Sequence, residues 1–259
     1  MSHQYKVSIF RAEQSQKLRN VKLHSPSLIQ IITGSKRLHW RDSALDVSHS
    51  ELIFCQASES LSFENLPQKG RFLSRVFSLY LVPSEAMIEL SKRNDQKRHC
   101  PVLKSNSALE ATLNALYLFE QHKMSKETQS YWVNGLYQQL AEQGVLHGLF
   151  SNVSTTFTQQ LSRYLANDPS SEHPLEEVAK DFAISRSTLI RKLKHEGTQY
   201  RQVLVDVRLN HALGLMQDGQ NNVALLAQLC GYQSEERFSQ RFKGKFGLTP
   251  SDYIKTVTQ

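Results

Sequence analysis

Two short runs of basic side chains contain no acidic residue, and their chemistry is the easiest in the chain to assign. The runs span residues 186–195 and 237–245 and carry Arg186, Arg191, Lys192 and Lys194 in the first and Arg237, Arg241, Lys243 and Lys245 in the second. Such side chains donate hydrogen bonds to DNA phosphates, and an arginine can also donate two to a guanine edge. The runs are therefore candidates for DNA contact, and the alternative is that they are two solvated helix faces.

Net charge alone does not decide between these alternatives. The chain of 259 residues has a formal charge of +7. Residues 1–166 hold 19 Lys and Arg against 13 Asp and Glu, a surplus of 6, whereas residues 167–259 hold 12 against 11, a surplus of 1. The C-terminal part is nearly neutral, so the argument for DNA binding has to come from the placement of its charges.

Other kinds of site have little support in the sequence. The three cysteines, Cys55, Cys100 and Cys230, are far apart and lack disulfide or zinc spacing, which is typical of a reducing cytoplasm. We find no glycine-rich phosphate loop, nucleophile elbow or pair of catalytic carboxylates. Residues 1–9 lack the apolar core of a signal peptide, and no apolar stretch is long enough to cross a membrane. We expect a cytoplasmic protein with no catalytic residue, metal or cofactor and no membrane partner.

The basic runs lie within a pattern that occurs twice. An apolar stripe at helical spacing, a tight turn and a second amphipathic helix follow one another from Leu175, and the same order recurs about 48 residues later from Val223. Ser185 and Ser234 stand where each second helix begins and can cap it. The pattern predicts two helix-turn-helix motifs whose second helices keep their basic residues on the exposed side, as insertion into a major groove requires.

One long helix is predicted between the two motifs. Its apolar residues run from Tyr200 to Met216, and 17 residues span about 25 Å at 1.5 Å per residue. Gly219 is placed to end it. Such a strut can hold two DNA-reading helices about one DNA turn, roughly 34 Å, apart.

The rest of the chain indicates an α+β fold with a separate C-terminal domain. Residues 1–83 contain short β-branched and aromatic runs separated by turns, as in a β-sandwich or barrel, and residues 84–166 show helical spacing. Residues 167–174 are short, polar and bounded by prolines, and we expect them to link a regulatory or dimerisation domain, 1–166, to an all-α domain, 175–259.

The tandem region resembles the AraC/XylS family of bacterial transcription regulators over about 85 residues. The second motif carries most of the resemblance, through residues 227–234, 238–243 and 246–253. The first motif contributes Ser185-Arg186, Gly197 and Arg208. The resemblance implies a cupin-like β-barrel with helices in the N-terminal half, and it points to activators of virulence or stress genes.

The resemblance also implies which side chains read DNA. In the first motif Ser187, Ile190 and Arg191 would face bases, Lys194 would contact phosphate and Arg186 belongs to the same helix. In the second, the exposed set is Glu235, Glu236, Arg237, Gln240, Arg241 and Lys243, with Lys243 and Lys245 setting affinity through phosphates. The two glutamates have an alternative role, because acids in a first turn also stabilise the helix dipole.

This sequence departs from the family pattern at four positions. Ala183 replaces a usual turn glycine, Arg237 a usual aromatic residue, and Gln240 and Ile254 usual arginines. These changes affect the expected base preference more than the expectation of DNA binding.

The partners we expect are double-stranded promoter DNA and RNA polymerase. A small-molecule effector held by Lys36, Arg37 and Arg41 and a homodimer are further hypotheses. The dimer would pair through helices that include Tyr131, which is otherwise core. Two alternatives remain open: a cupin metalloenzyme with a DNA-binding tail, using His24, His39 and His49, and a module that docks on another regulator.

Overall fold

The computed structural model describes residues 3–57, 59–95, 100–122, 124–150 and 156–257. The chain divides into two compact units. The first comprises Met1–Gln16, Ser25–Glu59 and Phe63–Val153, and the second comprises Lys17–His24, Ser60–Ser62 and Ser154–Gln259. The linker predicted at residues 167–174 stays a prediction, and the helix that precedes it packs with the C-terminal helices.

The described part of the N-terminal half contains nine strands, which pair in two sheets. The strands are β1 (Tyr5–Ala12), β2 (Gln16–Lys22), β3 (Ser27–Thr33), β4 (Ser35–Trp40), β5 (Ser43–Val47), β6 (Glu51–Cys55), β7 (Ser60–Leu66), β8 (Phe72–Leu79) and β9 (Val102–Lys104). The sheet orders are β1-β8-β3-β6-β9 and β2-β7-β4-β5. The predicted α+β class is confirmed, but the described strands form two separate sheets and not one closed barrel.

The five-stranded sheet is built around β3, the most buried strand. Residues 27–31 are buried without interruption, because β3 is hydrogen-bonded to β6 on one side and β8 on the other. β8 in turn pairs with β1 in an antiparallel register from Tyr5 opposite Leu79 to Ala12 opposite Phe72. The β-branched and aromatic runs of the sequence form the inner strands β3, β6 and β8, where such side chains pack well.

Four helices of the first unit pack on its apolar core. They are α1 (Glu85–Arg93), α2 (Ser107–Glu120), α3 (Lys126–Glu142) and α4 (Leu146–Leu149). Leu109, Leu113, Leu116, Leu136 and Leu140 are fully buried, whereas Tyr131 is 80% exposed and is not part of the core. The segment 84–166 that we predicted as helical also includes residues 96–99, 123 and 151–155, which lie outside those described.

Seven helices of the second unit contain the predicted tandem motifs. They are α5 (Phe157–Leu165), α6 (Leu175–Asp181), α7 (Arg186–His195), α8 (Tyr200–Gln217), α9 (Val223–Leu229), α10 (Glu235–Phe246) and α11 (Pro250–Val257). Phe157, Leu161 and Leu165 of α5 share one apolar core with α6, α7 and α8. In the described residues no helix combines the length and apolar character needed to cross a bilayer.

Helix α8 ends as its sequence predicts. Its last helical residue is Gln217, and Gly219 follows with a φ of +94°. A residue at positive φ just after a helix lets the chain turn away while backbone amides still reach the last carbonyls, and glycine adopts it without strain. Gly219 N–H donates to the Met216 carbonyl at 3.2 Å.

The turns inside the two motifs both need positive φ, but they are occupied by different residues. Ala183 has a φ of +52° in the first turn, and Gly231 has a φ of +70° in the second. A side chain in this region is strained because its Cβ crowds the backbone. Ala183 is exposed, whereas a Cβ on Gly231 would lie 2.6 Å from Nη2 of Arg208 and 2.8 Å from the carbonyl oxygen of Ser170.

The ionisable side chain of Lys36 lies inside the N-terminal core. The Lys36 side chain of β4 is buried, its amine donates a hydrogen bond to Asn65 Oδ1, and Nζ lies 3.5 Å from the centre of the Phe63 ring. Asn65 Nδ2 donates in turn to Gln16 Oε1 at 2.9 Å. Burial lowers the pKa of Lys36 to about 7, because an ammonium group loses its hydration inside the fold.

We expect opposite effects from exchanging the two turn residues. Ala183→Gly should raise the free energy of unfolding by about 0.5 to 1 kcal/mol, since glycine removes the strain at little cost in an exposed turn. Gly231→Ala should lower it by more than 1 kcal/mol, because the added Cβ meets Arg208 and the backbone of Ser170. Urea unfolding of both variants measures this. If both substitutions changed the free energy of unfolding equally and in the same direction, the different constraints assigned to the two turns would be wrong.

The Lys36 amine should make stability depend on pH. Between pH 7 and 10 the unfolded chain holds a proton on Lys36 that the folded chain does not, so the melting temperature should rise with pH in this range. Lys36→Met should lose that part of the rise, and Lys6→Met, which changes an exposed lysine, should keep it. Melting curves at four pH values make the comparison, and parallel profiles for all three proteins would show that Lys36 is ordinarily charged.

Candidate nucleic-acid interface

Helix α7 is anchored on one side and free on the other. Leu189 and Leu193 are 0% and 1% exposed and pack in the core that α7 shares with α5, α6 and α8. The hydroxyl of Ser185 accepts a hydrogen bond from the Thr188 amide at 3.2 Å, which confirms the predicted cap. The five candidate residues of this helix are all exposed, namely Arg186, Ser187, Ile190, Arg191 and Lys194.

Helix α10 repeats this division with aromatic anchors. Phe238, Phe242 and Phe246 are fully buried, and successive rings lie 5.9 and 4.7 Å apart between centres. Ser234 Oγ caps the helix by accepting from the Arg237 amide at 3.3 Å. The six candidate residues of this helix are also exposed, namely Glu235, Glu236, Arg237, Gln240, Arg241 and Lys243.

Helix α8 holds the two motifs together. Val203 and Val207 lie in the core of the first motif, and further along the same helix Gln217 Nε2 donates to the hydroxyl of buried Tyr253 in α11 at 2.8 Å. Its 18 residues span about 27 Å. Because both motifs pack on this one rigid element, α8 fixes where they lie relative to each other.

Arg208 ties the residues before α6 to the same strut. Its Nε donates to the carbonyl oxygen of Pro169 at 3.0 Å and its Nη2 to that of Ser171 at 2.9 Å. The same guanidinium lies against Gly231 in the second motif. One side chain of α8 therefore contacts both the segment before the first motif and the turn inside the second.

The exposed basic residues differ in whether they form an ion pair. Arg186 Nη1 lies 2.8 Å from Glu176 Oε1, but both side chains are more than 60% exposed, so this ion pair contributes little to stability. Arg191 and Lys194 have no ion-pair partner in the part of the chain that the structure describes. The alternative that Arg191 serves only to pair with a neighbouring acid therefore has no contact to support it.

The prediction that Lys245 contacts phosphate is wrong. Its side chain is only 10% exposed, and its amine forms an ion pair with Asp206 of α8, whose side chain is 6% exposed. Desolvation lowers the pKa of Lys245, and Asp206 opposes that shift. The sequence showed Lys245 in an acid-free run, but it could not show that an acid 39 residues earlier faces it.

The predicted effector residues lie in different surroundings. Lys36 points into the core, as described above. Arg37 Nε donates to Asp46 Oδ1 at 2.8 Å across β4 and β5, with both side chains largely exposed. Arg41 is exposed in the turn between these strands, with a φ of +51°. The structure thus places only Lys36 in the interior.

The histidines considered for a metal site do not form a cluster with other ligands. His39 and His49 are exposed, and His24 Nε2 lies 3.1 Å from Asn210 Nδ2. Within the described ranges, no group of three or more His, Cys, Asp or Glu side chains is close enough to hold a metal ion.

Comparison with known proteins agrees with the tandem motifs. A family model described as a helix-turn-helix domain matches residues 178–256. The porin thermoregulatory protein EnvY of Escherichia coli is 38% identical over 82 residues, which is 32% of each chain. The transcriptional activator FapR of Escherichia coli is 30% identical over 105 residues, 40% of each chain. These matches thus span between a third and two fifths of the relatives' own length.

The N-terminal half is included in a similarity of fold. ToxT of Vibrio cholerae, solved at 1.65 Å, superposes with a TM-score of 0.64 over 99% of this chain and 100% of ToxT, at 15% sequence identity. At that identity the similarity shows the shared fold alone. Residues 178–256 therefore match a helix-turn-helix domain, and over this region the chain is similar to the regulators EnvY and FapR, in agreement with the resemblance to the AraC/XylS family.

Proposed function

We propose that this protein is a sequence-specific transcription regulator, and an activator, that inserts α7 and α10 into successive major grooves of DNA. The observation that carries the proposal is that each helix has one fully buried side and one exposed polar side, and that both are mounted on α8. A groove-reading helix needs this division, because its own module must hold it while donors and acceptors stay free.

The length of the strut supports binding of both motifs to one face of the duplex. Helix α8 spans about 27 Å, and packed helices lie about 8 to 10 Å apart, so α7 and α10 can be separated by about the 34 Å of one DNA turn. A shorter strut would bring both helices to one groove. The geometry therefore favours a site made of two half-sites about one turn apart.

The exposed residues divide by what they can recognise. Arg191 can donate two hydrogen bonds to guanine, and Gln240 can pair with the adenine edge. Lys194 and Lys243 are suited to phosphate. Glu235 and Glu236 follow the Ser234 cap, where they stabilise the helix dipole, so we assign them a structural role first and cytosine recognition second.

The same proposal includes the partners that an activator needs. We infer contact with RNA polymerase, action in the cytoplasm and a homodimer. The dimer hypothesis is supported by the exposed apolar side chains of α2 and α3, where Leu118 is 57% and Trp132 41% exposed. These side chains and Tyr131 lie outside the leucine core of the two helices.

A second candidate function, effector sensing, is favoured by Lys36. A buried amine with no acidic partner is costly unless it is neutral or meets an anion. We propose that Lys36 recognises the acid group of a weakly acidic, apolar molecule, with Arg37 and Arg41 outside the site. ToxT has been solved with an unsaturated fatty acid bound, so a protein of this fold accepts a ligand of that class.

Two substitutions test the assignment of base and phosphate contacts. On a fragment selected in vitro for tight binding, Arg191→Ala should cost about 1 to 3 kcal/mol and relax the preference at one base pair, since a bidentate donor is lost. Lys243→Ala should weaken binding evenly over all sequences and reduce the salt slope by about 1. Titrations at several salt concentrations measure both. Identical behaviour of the two variants would refute the division of roles.

The effector hypothesis is tested with octanoate and octanol as probes. Octanoate should raise the melting temperature of the wild-type protein, because ligand bound only to the folded state stabilises it, and octanol should raise it much less. Lys36→Met should lose the octanoate effect, whereas Arg37→Met should keep it. If octanoate raised the melting temperature of Lys36→Met as much as that of the wild-type protein, the Lys36 amine would be excluded as the group that binds the carboxylate.

A further inference from the structure

A buried ion pair connects the strut to the second DNA-reading helix. Asp206 lies in the middle of α8 and Lys245 in the last turn of α10, and their side chains are 6% and 10% exposed. Gln202 Nε2 also donates to Asp206 Oδ1 at 2.9 Å, and Lys22 Nζ lies 3.8 Å from Oδ2. The carboxylate thus has three polar partners, one of which lies on α10.

The pair lies at the junction between the two motifs. A cleft of about 710 Å³ opens there, and its walls include Gly197 and Thr198 after α7 and Gln240 and Arg241 of α10. Asp206 and Lys245 are part of the same walls. The ion pair links α8 directly to α10 at this cleft, whose walls also carry the proposed DNA contacts Gln240 and Arg241.

Such a buried ion pair contributes little net stability to the fold. Removing two charges from water costs about as much as their attraction returns, and well-packed apolar side chains often stabilise a fold more. An ion pair with hydrogen bonds does constrain the orientation of the groups that it joins. Apolar contact is non-directional and allows a helix to rotate or slide. The phenylalanine anchors of α10 hold the helix to its core, and the ion pair can fix its rotation.

We propose that Asp206 is a positioning residue that sets the orientation of α10 relative to α8, and thereby the spacing of half-sites that the protein accepts. The inference rests on the proposed DNA-binding function. With Lys245 held by Asp206, the last turn of α10 is fixed to α8. Gln240 and Lys243, five and two residues before Lys245, remain exposed. Rotation of α10 would turn these side chains away from the groove that α7 defines.

The first test varies the spacing between half-sites. Asp206→Leu combined with Lys245→Met removes both charges and avoids leaving one buried alone. The wild-type protein should lose about tenfold or more in affinity when one base pair is inserted or removed between half-sites. The double variant should discriminate by less than about threefold at a melting temperature close to that of the wild type. The matched control, Glu89→Leu with Lys92→Met, removes an exposed ion pair and should discriminate as the wild type does.

The second test needs no DNA, so it separates this inference from the proposed function. Spin labels on Lys194→Cys and Lys243→Cys, in a Cys100→Ser background, report the distance between the ends of α7 and α10; Cys55 and Cys230 are buried. The distance distribution should be narrow with the native pair and broader in the double variant. If the double variant does not fold, Asp206→Glu should shift the distribution, since its longer side chain displaces Lys245.

The outcomes are distinct. Failure of the wild-type protein to bind any selected DNA would refute the proposed function and leave the distance measurement as the test of positioning. Unchanged distances together with unchanged spacing discrimination would overturn the role of Asp206. A broader distance distribution together with lost discrimination between half-site spacings would support both the proposed function and the positioning role of Asp206.

Discussion

The constraint on which the proposed function depends is that a helix that enters a DNA groove must be packed firmly on one side and must leave its polar side chains exposed on the other. Helix α7 meets it with two buried leucines and helix α10 with three buried phenylalanines. Each buried side chain of this size contributes about 1.5 to 3 kcal/mol, so the anchoring is strong enough to leave whole faces polar. Helix α8 joins the two helices, because both motifs pack on it.

The way the two turns are built shows how the motifs are joined to the strut. Glycine is required at position 231 because Arg208 and the carbonyl of Ser170 occupy the space that a Cβ would need. At position 183 an alanine is disfavoured only by its positive φ. Arg208 in turn satisfies the carbonyls of Pro169 and Ser171. A polar, proline-bounded stretch that looks like a linker in sequence is therefore held by the helix between the motifs, because exposed backbone carbonyls attract a guanidinium.

What the sequence predicts well is what depends on local spacing. The helix order, the Ser185 and Ser234 caps and the Gly219 terminus all follow from residues within a few positions of one another, and the structure has them where they were expected. Apolar periodicity also identified the buried face of each motif. The exposure of the eleven candidate DNA contacts follows from that face, although their contacts with bases stay predictions.

What the sequence could not predict depends on contacts between distant residues. Lys245 belongs to an acid-free run, yet Asp206 pairs with it across 39 positions. Lys36 was grouped with Arg37 and Arg41 by proximity, but strand alternation turns neighbouring side chains to opposite faces and places only Lys36 in the core. Two sheets instead of a closed barrel likewise follow from strand pairing, which composition does not reveal.

These contacts also bear on how a nearly neutral domain can bind a polyanion. Residues 167–259 carry a surplus of one positive charge, and the ion pair between Lys245 and Asp206 leaves that surplus unchanged. Long-range attraction and counterion release are therefore weak compared with those of strongly basic DNA-binding domains. In the proposed function, binding then relies on a few well-placed donors such as Arg191, and a misplaced helix would lose them all at once. In the proposed function, a DNA-binding domain that is itself nearly neutral gains specificity from this arrangement, provided that directional contacts within the domain fix the angle between α7 and α10.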